Sequence, residues 1–445
     1  KAHYGVYRRI RAFFHRQRYS LIGAPRRLRH KIAQRFLSLL DRIWLWCNLG
    51  KLRNGSATYV LYKLAREVSN SHLGVYSWKP LISKRGARIA RAAADGWKVS
   101  WRRFEPLLPY EEPNPGKIDC RVIVGLSGLG VSWADGDLKF DEITAEEARI
   151  ACRYAVNELG NFPDWFPEIV RYQPDAVCSV LLECINGEWL VPASQIHYYE
   201  VLSKLRYNNL DITPIAPIIE EAVLEKLRNS DPLNYEILEA VLFILLNSQK
   251  PPLSDLADLA AKRTPASVDD NQRFLLWMIV WLQLDAIPAL QYLEKVLIEA
   301  ADPMDLMIRI CVGLSGESHN RYPLIKNPDY LSIECLRKFI PLVYNYICVE
   351  NDIDRSNCDV FRPTARDAAQ IFRNGLFERL ARISGVKVND ILQSFAKDPM
   401  FARQRDWILN LIEQRTEAST DLTPWQPDDI RKFMSEYEIS PHSDY

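Results

Sequence analysis

Two glycine-containing stretches resemble loops that cradle phosphates or hold a nucleophile. They read VGLSGLG at residues 124–130 and VGLSGES at residues 312–318. A phosphate loop needs GxxxxGK[ST], because its lysine neutralises the phosphates that the loop amides surround, and no lysine follows either glycine pair at that distance. A nucleophile elbow needs GxSxG, whereas here the second glycine follows the serine directly. We therefore interpret both stretches as small residues at close helix contacts or at helix ends.

Acidic residues, histidines and cysteines show no metal-binding or catalytic spacing. The stretch ENDIDRSNCD covers residues 350–359, but a calcium loop that starts at Asp352 would require glycine and glutamate where the chain has Asn357 and Pro363. The seven histidines are isolated, and the cysteines form no CxxC pair. No nucleophile, base and orienting group can be assembled from the spacing. We expect no cofactor, no metal ion and no enzymatic activity in this chain.

A third stretch, VFRPTARDAAQIFRNGLFERL at residues 360–380, crowds charged and amide side chains into one segment. Thr364 with Asp367 three residues later predicts a capped helix start, and the aspartate complements the positive end of the helix dipole. Three long polar side chains recur at i, i+4 and i+7 on one helix face: Arg366, Gln370 and Arg373. We predict a structural clasp in which they bond acidic neighbours in the preceding loop, such as Asp352 or Asp354. The predicted buried stripe of the same helix is Ala368, Ile371, Phe372, Gly375, Leu376 and Leu380.

The charge of the chain is strongly asymmetric. Residues 1–105 contain 24 Lys and Arg against 4 Asp and Glu, a net charge of +20, whereas residues 106–445 contain 33 against 52, a net charge of −19. Aromatic residues alternate with the basic clusters, so this segment could neutralise nucleic-acid phosphates with support from stacking. It could equally lie on an anionic membrane or pack against the acidic remainder of the polypeptide. The candidate partner-binding residues are Arg16, Arg18, Arg26, Arg27, Arg29 and Trp46.

The pattern of prolines and apolar residues predicts an all-α protein. Prolines recur where helices are expected to start, at Pro214, Pro232, Pro252, Pro265, Pro288 and Pro303. The starts at Pro214, Pro252 and Pro288 are 38 and 36 residues apart, slightly below the period of HEAT and armadillo repeats. Each helix has an apolar face that its own hairpin cannot cover, so neighbouring pairs are expected to stack. We predict an α-solenoid of degenerate HEAT/armadillo-like helix pairs, with an irregular helical bundle as the alternative.

The predicted domains follow the charge and proline patterns. We expect a basic helical segment at residues 1–105, a proline-rich linker at residues 106–117, a HEAT-like helical-repeat domain at residues 118–437 and a tail at residues 438–445. At 445 residues the chain exceeds a typical single hydrophobic core. Because it starts with Lys and stops at HSDY, we expect a piece of a longer polypeptide whose tail continues into a missing region.

Cysteine usage and hydropathy favour a cytoplasmic protein. Nine cysteines without paired spacing in a long chain are typical of reduced thiols. The longest apolar run, FLLWMIVWL at residues 274–282, is about half a bilayer span. We expect it to form a buried helix, and we expect no transmembrane segment.

Two parts of the chain resemble a known family. The block AEEARIACRYAVNELGNFPDWFPEIVRYQPDAV at residues 145–177 follows VGLSGLG as in the helical-repeat regions of large bacterial NACHT-type (STAND class) P-loop NTPases. Residues 360–380, followed by DPMFARQRDWILNLIEQR and TPWQPDDIRKF, resemble the end of the same region. The resemblance covers about residues 117–437, and Gly160 departs from it where the family has Asn. The residues that carry the first block are Glu146, Ala151, Arg153, Tyr154, Ala155, Glu158, Leu159, Phe162, Pro163, Trp165, Phe166, Pro174, Ala176 and Val177.

This resemblance implies a HEAT-like sensor or scaffold region of a bacterial NTPase associated with antiphage defence. In that class the repeats recognise an invader component and the NTPase drives oligomerisation. Neither Walker motif occurs in the chain, so we expect hydrolysis only in a missing portion. The expected partners are a protein ligand or a nucleic acid, the rest of a larger polypeptide, and further copies joined through the NTPase. The alternative is a stand-alone nucleic-acid-binding helical-repeat protein that uses residues 1–105.

Overall fold

The computed structural model is all-helical in the part of the chain that it describes. No strand occurs in that part, so the prediction of an all-α fold is confirmed there. The chain divides into two compact units, one that ends at Pro251 and one that begins at Pro252. The described residues are 43–69, 72–112, 117–192, 201–207, 212–248, 253–315, 325, 328–352 and 364–420.

The first unit begins, in its described part, with the helical residues 43–47. Its further helices are α1 (Leu49–Arg53), α2 (Thr58–Val68), α3 (Pro80–Arg85), α4 (Ala87–Ser100), α5 (Cys120–Ala134), α6 (Ala145–Val156), α7 (Phe166–Tyr172), α8 (Pro174–Glu188), α9 (Val201–Tyr207), α10 (Ala216–Asn229) and α11 (Tyr235–Leu246). Helix α5 packs extensively on both α2 and α4 and also contacts α6, so it lies at the centre of this unit.

Small residues let the neighbours of α5 approach its backbone. A Cβ atom on Gly125 would lie 2.1 Å from the ring of Tyr154 on α6. A Cβ atom on Gly128 would lie 2.2 Å from the carbonyl oxygen of Trp97 on α4. Both distances are far below van der Waals contact, so any larger residue would displace a neighbouring helix. The interpretation of VGLSGLG as a helix-packing motif is confirmed.

The described part of the proline-rich segment contributes residues to the core of the first unit. Pro106 and Leu108 are buried. Arg153 on α6 and Asn157, the residue after this helix, hold the segment through its carbonyl groups. Arg153 Nε donates to the Pro106 oxygen at 2.7 Å, and Asn157 Nδ2 donates to the Leu107 oxygen at 2.9 Å. Helix α4, which precedes the segment, packs on α5, which follows it. The compact units therefore divide elsewhere, and the domain boundary proposed from the sequence stays a prediction.

The second unit contains α12 (Leu253–Ala266), α13 (Asn271–Leu284), α14 (Ala286–Glu299), α15 (Pro303–Ser315), α16 (Ile333–Tyr346), α17 (Ala365–Arg382), α18 (Val386–Lys397) and α19 (Arg405–Thr420). Every residue of the apolar run at 274–282 is buried within α13, as predicted. Within the described ranges, no helix reaches the length and apolar content that a membrane crossing needs.

The helices of the second unit pack mainly on their neighbours in the chain. Helix α12 packs on α13, and α13 packs on α14 and α15. The same order continues as α15 packs on α17 and α17 packs on α18 and α19. The described helices of this unit thus form their extensive contacts with helices at most two places away in the sequence.

Two predictions about individual residues are wrong. Ile371 was expected in the buried stripe of α17, but its side chain is 58% exposed. Gln370 and Arg373 occupy the inward face instead, and Ile371 lies on the opposite side of the helix. Pro265 was expected to start a helix, but it lies in the last turn of α12, where the helix ends one residue later. A proline at that position removes only one backbone hydrogen bond from the helix.

Candidate functional site

The residues proposed as partner contacts belong to the basic segment, of which the structure describes the second half. Arg16, Arg18, Arg26, Arg27 and Arg29 lie outside the described residues. Trp46 lies within them, on the helical residues that precede α1, and its side chain is 50% exposed. The described part from residue 43 to residue 105 contains 12 Lys and Arg against 3 Asp and Glu. Its charge is therefore strongly positive by itself.

Trp46 is paired with a cation of α4. The guanidinium carbon of Arg88 lies 5.2 Å from the centre of the Trp46 ring system. Arg88 is in the first turn of α4, directly after Gly86, whose φ of +88° makes the sharp change of direction from α3. Arg91 follows one helical turn later and is also exposed. An exposed cation over an indole contributes about 0.5–1 kcal/mol, so this contact favours the observed arrangement of the two side chains.

Helix α2 presents a second face of the same composition. Its exposed residues Tyr59, Lys63 and Arg66 are spaced at i, i+4 and i+7, while Leu61 and Leu64 face the core. The ammonium group of Lys63 lies 4.6 Å from the centre of the Tyr59 ring. The sequence analysis missed this face and Arg88, although the regular spacing of Tyr59, Lys63 and Arg66 was a signal that could have identified the face.

Other cations of the segment are engaged inside the first unit. Lys98 Nζ lies 2.5 Å from a carboxylate oxygen of Asp135 and 2.6 Å from one of Asp137. Burial by itself would lower the pKa of Lys98, but the hydrogen bonds to both aspartates outweigh this effect and raise the pKa. Arg102 Nε lies 2.5 Å from Glu147. These contacts join the basic segment to acidic residues that follow it in the chain, so internal packing explains part of the charge.

Internal ion pairs do not account for half of the described cations in residues 43–105. They are exposed, and none has an acidic partner within ion-pair distance in the described part of the chain. The remaining six are bonded to carboxylates or backbone carbonyl groups. The free set includes both cations of the α2 face and both arginines near Trp46. Its members are Lys51, Lys63, Arg66, Lys79, Arg88 and Arg91.

The clasp residues lie together at the start of α17. Thr364 and Asp367 form a capping box in which the Thr364 hydroxyl oxygen accepts from the Asp367 amide and the Asp367 carboxylate accepts from the Thr364 amide at 2.7 Å. Arg366 Nη2 donates to the Cys348 carbonyl oxygen at 3.2 Å. The cap stabilises the first turn of α17, and Arg366 ties this turn to the residues after α16.

The buried part of the clasp is a pair between Arg373 and Asp352. Arg373 is 1% exposed, and its Nη1 and Nη2 atoms donate to the two carboxylate oxygens of Asp352 at 2.8 and 2.6 Å. Nη1 also donates to the Ile347 carbonyl oxygen, and Gln370 Nε2 donates to Asp352 Oδ1 at 2.8 Å. Burial by itself would raise the pKa of Asp352, but the bonds from Arg373 and Gln370 outweigh it and lower the pKa. Asp354 lies outside the described residues.

A second buried cation, which the sequence analysis missed, lies in the first unit. Lys204 on α9 donates to the carbonyl oxygens of Val156 and Glu158 at 2.5 and 2.7 Å. The buried carboxylate of Glu158 accepts from the Leu73 amide at 2.6 Å. Glu188 is buried too and accepts from the first amides of α9. Burial lowers the pKa of Lys204 to about 8, although the charges of Glu158 and Glu188 oppose this shift.

A cleft of about 540 Å³ lies in the described part of the second unit. Phe274 and Leu306 supply apolar walls, and Lys295, Glu299 and Arg309 supply charges of both signs. Because opposite charges lie side by side, the lining does not favour a ligand of either sign. No group of His, Cys, Asp or Glu side chains in the described ranges could hold a metal ion.

The block at residues 145–177 owes its residue types to packing. Tyr154 donates to the Phe104 carbonyl oxygen at 2.8 Å, and the rings of Phe162 and Phe166 stack with their centres 4.1 Å apart. Trp165 stacks on Phe140 at 5.6 Å. These aromatic residues therefore stabilise the first unit. No protein-family model, curated protein or solved structure matches the chain.

Proposed function

We propose that this chain is a non-catalytic recognition module that binds an anionic ligand, a nucleic-acid backbone, through its basic segment. The module is of the kind that the NACHT-type resemblance implies, namely the helical-repeat sensor region of a larger bacterial NTPase in antiphage defence. The order of helix contacts in the second unit supports an α-solenoid arrangement. The free thiols of the described cysteines fit a cytoplasmic location.

The observation that carries the proposal is the division of the basic residues into two sets. Lys98 and Arg102 are neutralised by acidic residues of the same unit. Lys63, Arg66, Arg88 and Arg91 are exposed and have no acidic partner among the described residues. Lys63 with Arg66 on α2, and Arg88 with Arg91 on α4, are like-charge pairs one helical turn apart, and each pair repels itself unless an anion compensates the charge. Phosphate groups of a nucleic acid provide that compensation and release counterions when they bind.

The test is a salt titration of nucleic-acid binding by the full chain. We would replace Lys63, Arg66, Arg88 and Arg91 with Gln and measure the affinity for a fluorescein-labelled oligonucleotide at several salt concentrations. Each phosphate contact contributes about 0.7 to 0.9 to the slope of log K against log salt, so the slope should decrease by about 3. The matched control replaces four exposed cations of the second unit that have no ion pair with another described residue: Arg337, Lys338, Lys387 and Lys397.

The control separates a specific surface from net charge. If both variants lose the same affinity, the ligand responds to total charge and the proposed surface has no role. If the wild-type chain binds no oligonucleotide at low salt, the nucleic-acid function is wrong. The sequence that precedes this chain in its gene is the second test, because a Walker A motif there would support the NTPase assignment and its absence would favour the stand-alone alternative.

A further inference from the structure

We propose that the nucleic acid is single-stranded and that its bases stack on Trp46 and Tyr59. The inference rests on the proposed function and adds the class of ligand. Both rings are large, about half exposed, and next to a cation of the same surface. A surface that only neutralised phosphates would not need exposed aromatic rings.

Each ring is oriented by its cation. Arg88 lies over the Trp46 ring, and Trp46 is still 50% exposed, so part of the residue is accessible to a base. Lys63 approaches Tyr59 from the next turn of α2, about 6 Å along the helix axis. The cation restricts the rotamers of the ring before the ligand arrives, so less conformational entropy is lost when a base stacks.

The adjacent free cations lie where a stacked nucleotide needs them. Arg66 continues the α2 face one turn beyond Lys63, and Arg91 continues the α4 face one turn beyond Arg88. A base on either ring therefore has two cations within about two helical turns for its own phosphate and the neighbouring one. Alternating stacking platforms and cations are the recognised means of binding single strands without sequence preference.

A duplex does not fit the same arrangement. Its bases are stacked on each other, so their faces are accessible only at the ends, whereas unpaired bases can be splayed onto an aromatic side chain. An anionic membrane would attract the cations without using the ring faces. Both ligands therefore serve as comparison probes.

The experiment uses the full chain and three probes: a labelled oligo-dT strand, a mixed-sequence duplex of equal length, and vesicles of phosphatidylserine and phosphatidylcholine. The variants are Trp46→Ala and Tyr59→Ala, with Trp46→Phe as the conservative replacement. The control is Tyr172→Ala on α7, because Tyr172 is 46% exposed and also lies beside an arginine, at 5.5 Å from Arg171. Circular dichroism checks that each variant remains folded.

We expect the strand to bind more tightly than the duplex at equal salt. Each alanine variant should weaken strand binding by about five-fold to one-hundred-fold, the effect of losing one base–aromatic stack, and should leave duplex binding within about two-fold. Trp46→Phe should recover most of the loss because the ring face is retained, and Tyr172→Ala should bind as the wild type does.

The outcomes separate the two proposals. Equal binding of strand and duplex, with no effect of either alanine variant, overturns the single-strand inference and leaves the proposed function intact. Binding to vesicles but to neither nucleic acid overturns both, and so does binding to none of the three probes.

Discussion

The molecule uses cationic side chains in two opposite ways. In the second unit Arg373 is buried, and its guanidinium group donates to both oxygens of Asp352 and to a backbone carbonyl. In the first unit Arg88 is exposed and its described contact is with an aromatic ring. A buried ion that lacks partners costs several kcal/mol, whereas an exposed one costs almost nothing. The comparison therefore separates cations that hold the fold from cations that are available to a ligand.

Lys204 belongs with Arg373 in this comparison, but it is bonded differently. Arg373 has a bidentate carboxylate partner, whereas Lys204 donates to two carbonyl oxygens and lies near the buried carboxylates of Glu158 and Glu188. Those carboxylates are themselves bonded to backbone amides from distant parts of the first unit. The lysine thus neutralises a buried acidic pair and joins four chain segments.

The largest expected effect is from Lys204→Met. The methionine keeps most of the side-chain volume but removes the donor group, so the buried carbonyl oxygens of Val156 and Glu158 lose their hydrogen bonds from Lys204. A buried acceptor that loses its donor costs about 1–3 kcal/mol, so the two together should cost about 2–5 kcal/mol. Urea unfolding at neutral pH should show this decrease in the free energy of unfolding. A loss below about 1 kcal/mol would mean that Lys204 is not a structural cation.

The pH dependence of the same variant gives the next largest effect. The pKa of Lys204 is about 8 in the folded chain, below the ordinary value of 10.5. Between these values the unfolded chain holds a proton that the folded chain has released, so this lysine makes stability rise with pH. The rise amounts to about 3 kcal/mol over the whole window.

The measurement is the difference between wild type and Lys204→Met, because the other groups that titrate in this range largely cancel in it. Cys152 and Cys311, for example, have pKa values raised by burial and lower the stability of both proteins as pH rises. Urea unfolding should show the wild-type advantage growing between pH 8 and 10.5. A constant difference would contradict the lowered pKa of Lys204.

Asp352→Asn tests the clasp on its acidic side. Asparagine keeps one acceptor for Arg373 but removes the charge and turns its amide group towards the guanidinium, which should cost about 2 kcal/mol. The control is Glu350→Gln two residues earlier. Its ion pair with Arg403 spans 3.3 Å between largely exposed side chains, so the change should stay within about 0.5 kcal/mol. Equal urea midpoints for the two variants would show that burial does not distinguish them.

The local spacing of residues predicted some of the contacts of these cations, and the other contacts join residues that are far apart in the chain. The capping box at Thr364 and the common face of Gln370 and Arg373 follow from offsets of three residues. These offsets do not show whether that face points inward. Its polar side chains suggest exposure to solvent, whereas the partner Asp352 bonds them in the interior. Lys204 and Glu158 are 46 residues apart and belong to no periodic pattern. Only the folded chain shows that they meet.

The helix-packing role of VGLSGLG could be predicted because its glycines exclude other chemistry by their spacing. The candidate surface could be predicted only as a charged segment. The sum of charges can be counted in the sequence. The sequence does not show that Lys98 is bonded to Asp135, whereas Arg91 has no acidic partner among the described residues. Such pairing depends on which helices become neighbours, and that is a property of the tertiary fold.

Arg366→Ala should have a smaller effect than the change at Asp352. Arg366 contributes one hydrogen bond to the Cys348 carbonyl, and its buried Nε finds no acceptor among the described residues. The lost bond and the removed unsatisfied group partly offset each other, so we expect a decrease of about 1 kcal/mol or less. Thermal unfolding measures it. Loss of nucleic-acid binding with an unchanged melting temperature would instead make Arg366 a ligand contact.

The double variant of Arg88 and Arg91 should have the smallest effect on stability of these variants and the greatest effect on nucleic-acid binding. Arg88→Gln with Arg91→Gln removes two exposed charges that have no acidic partner in the described part of the chain, and only the contact with Trp46 is lost. The free energy of unfolding should change by less than about 0.5 kcal/mol, and relief of repulsion among the neighbouring cations offsets part of the lost contact. Urea unfolding and oligonucleotide binding must be measured on the same preparation, because the prediction compares the change in the free energy of unfolding with the change in binding affinity. A loss of stability as large as that of Asp352→Asn would place Arg88 and Arg91 among the cations that hold the fold, and the surface would no longer be a candidate for ligand binding.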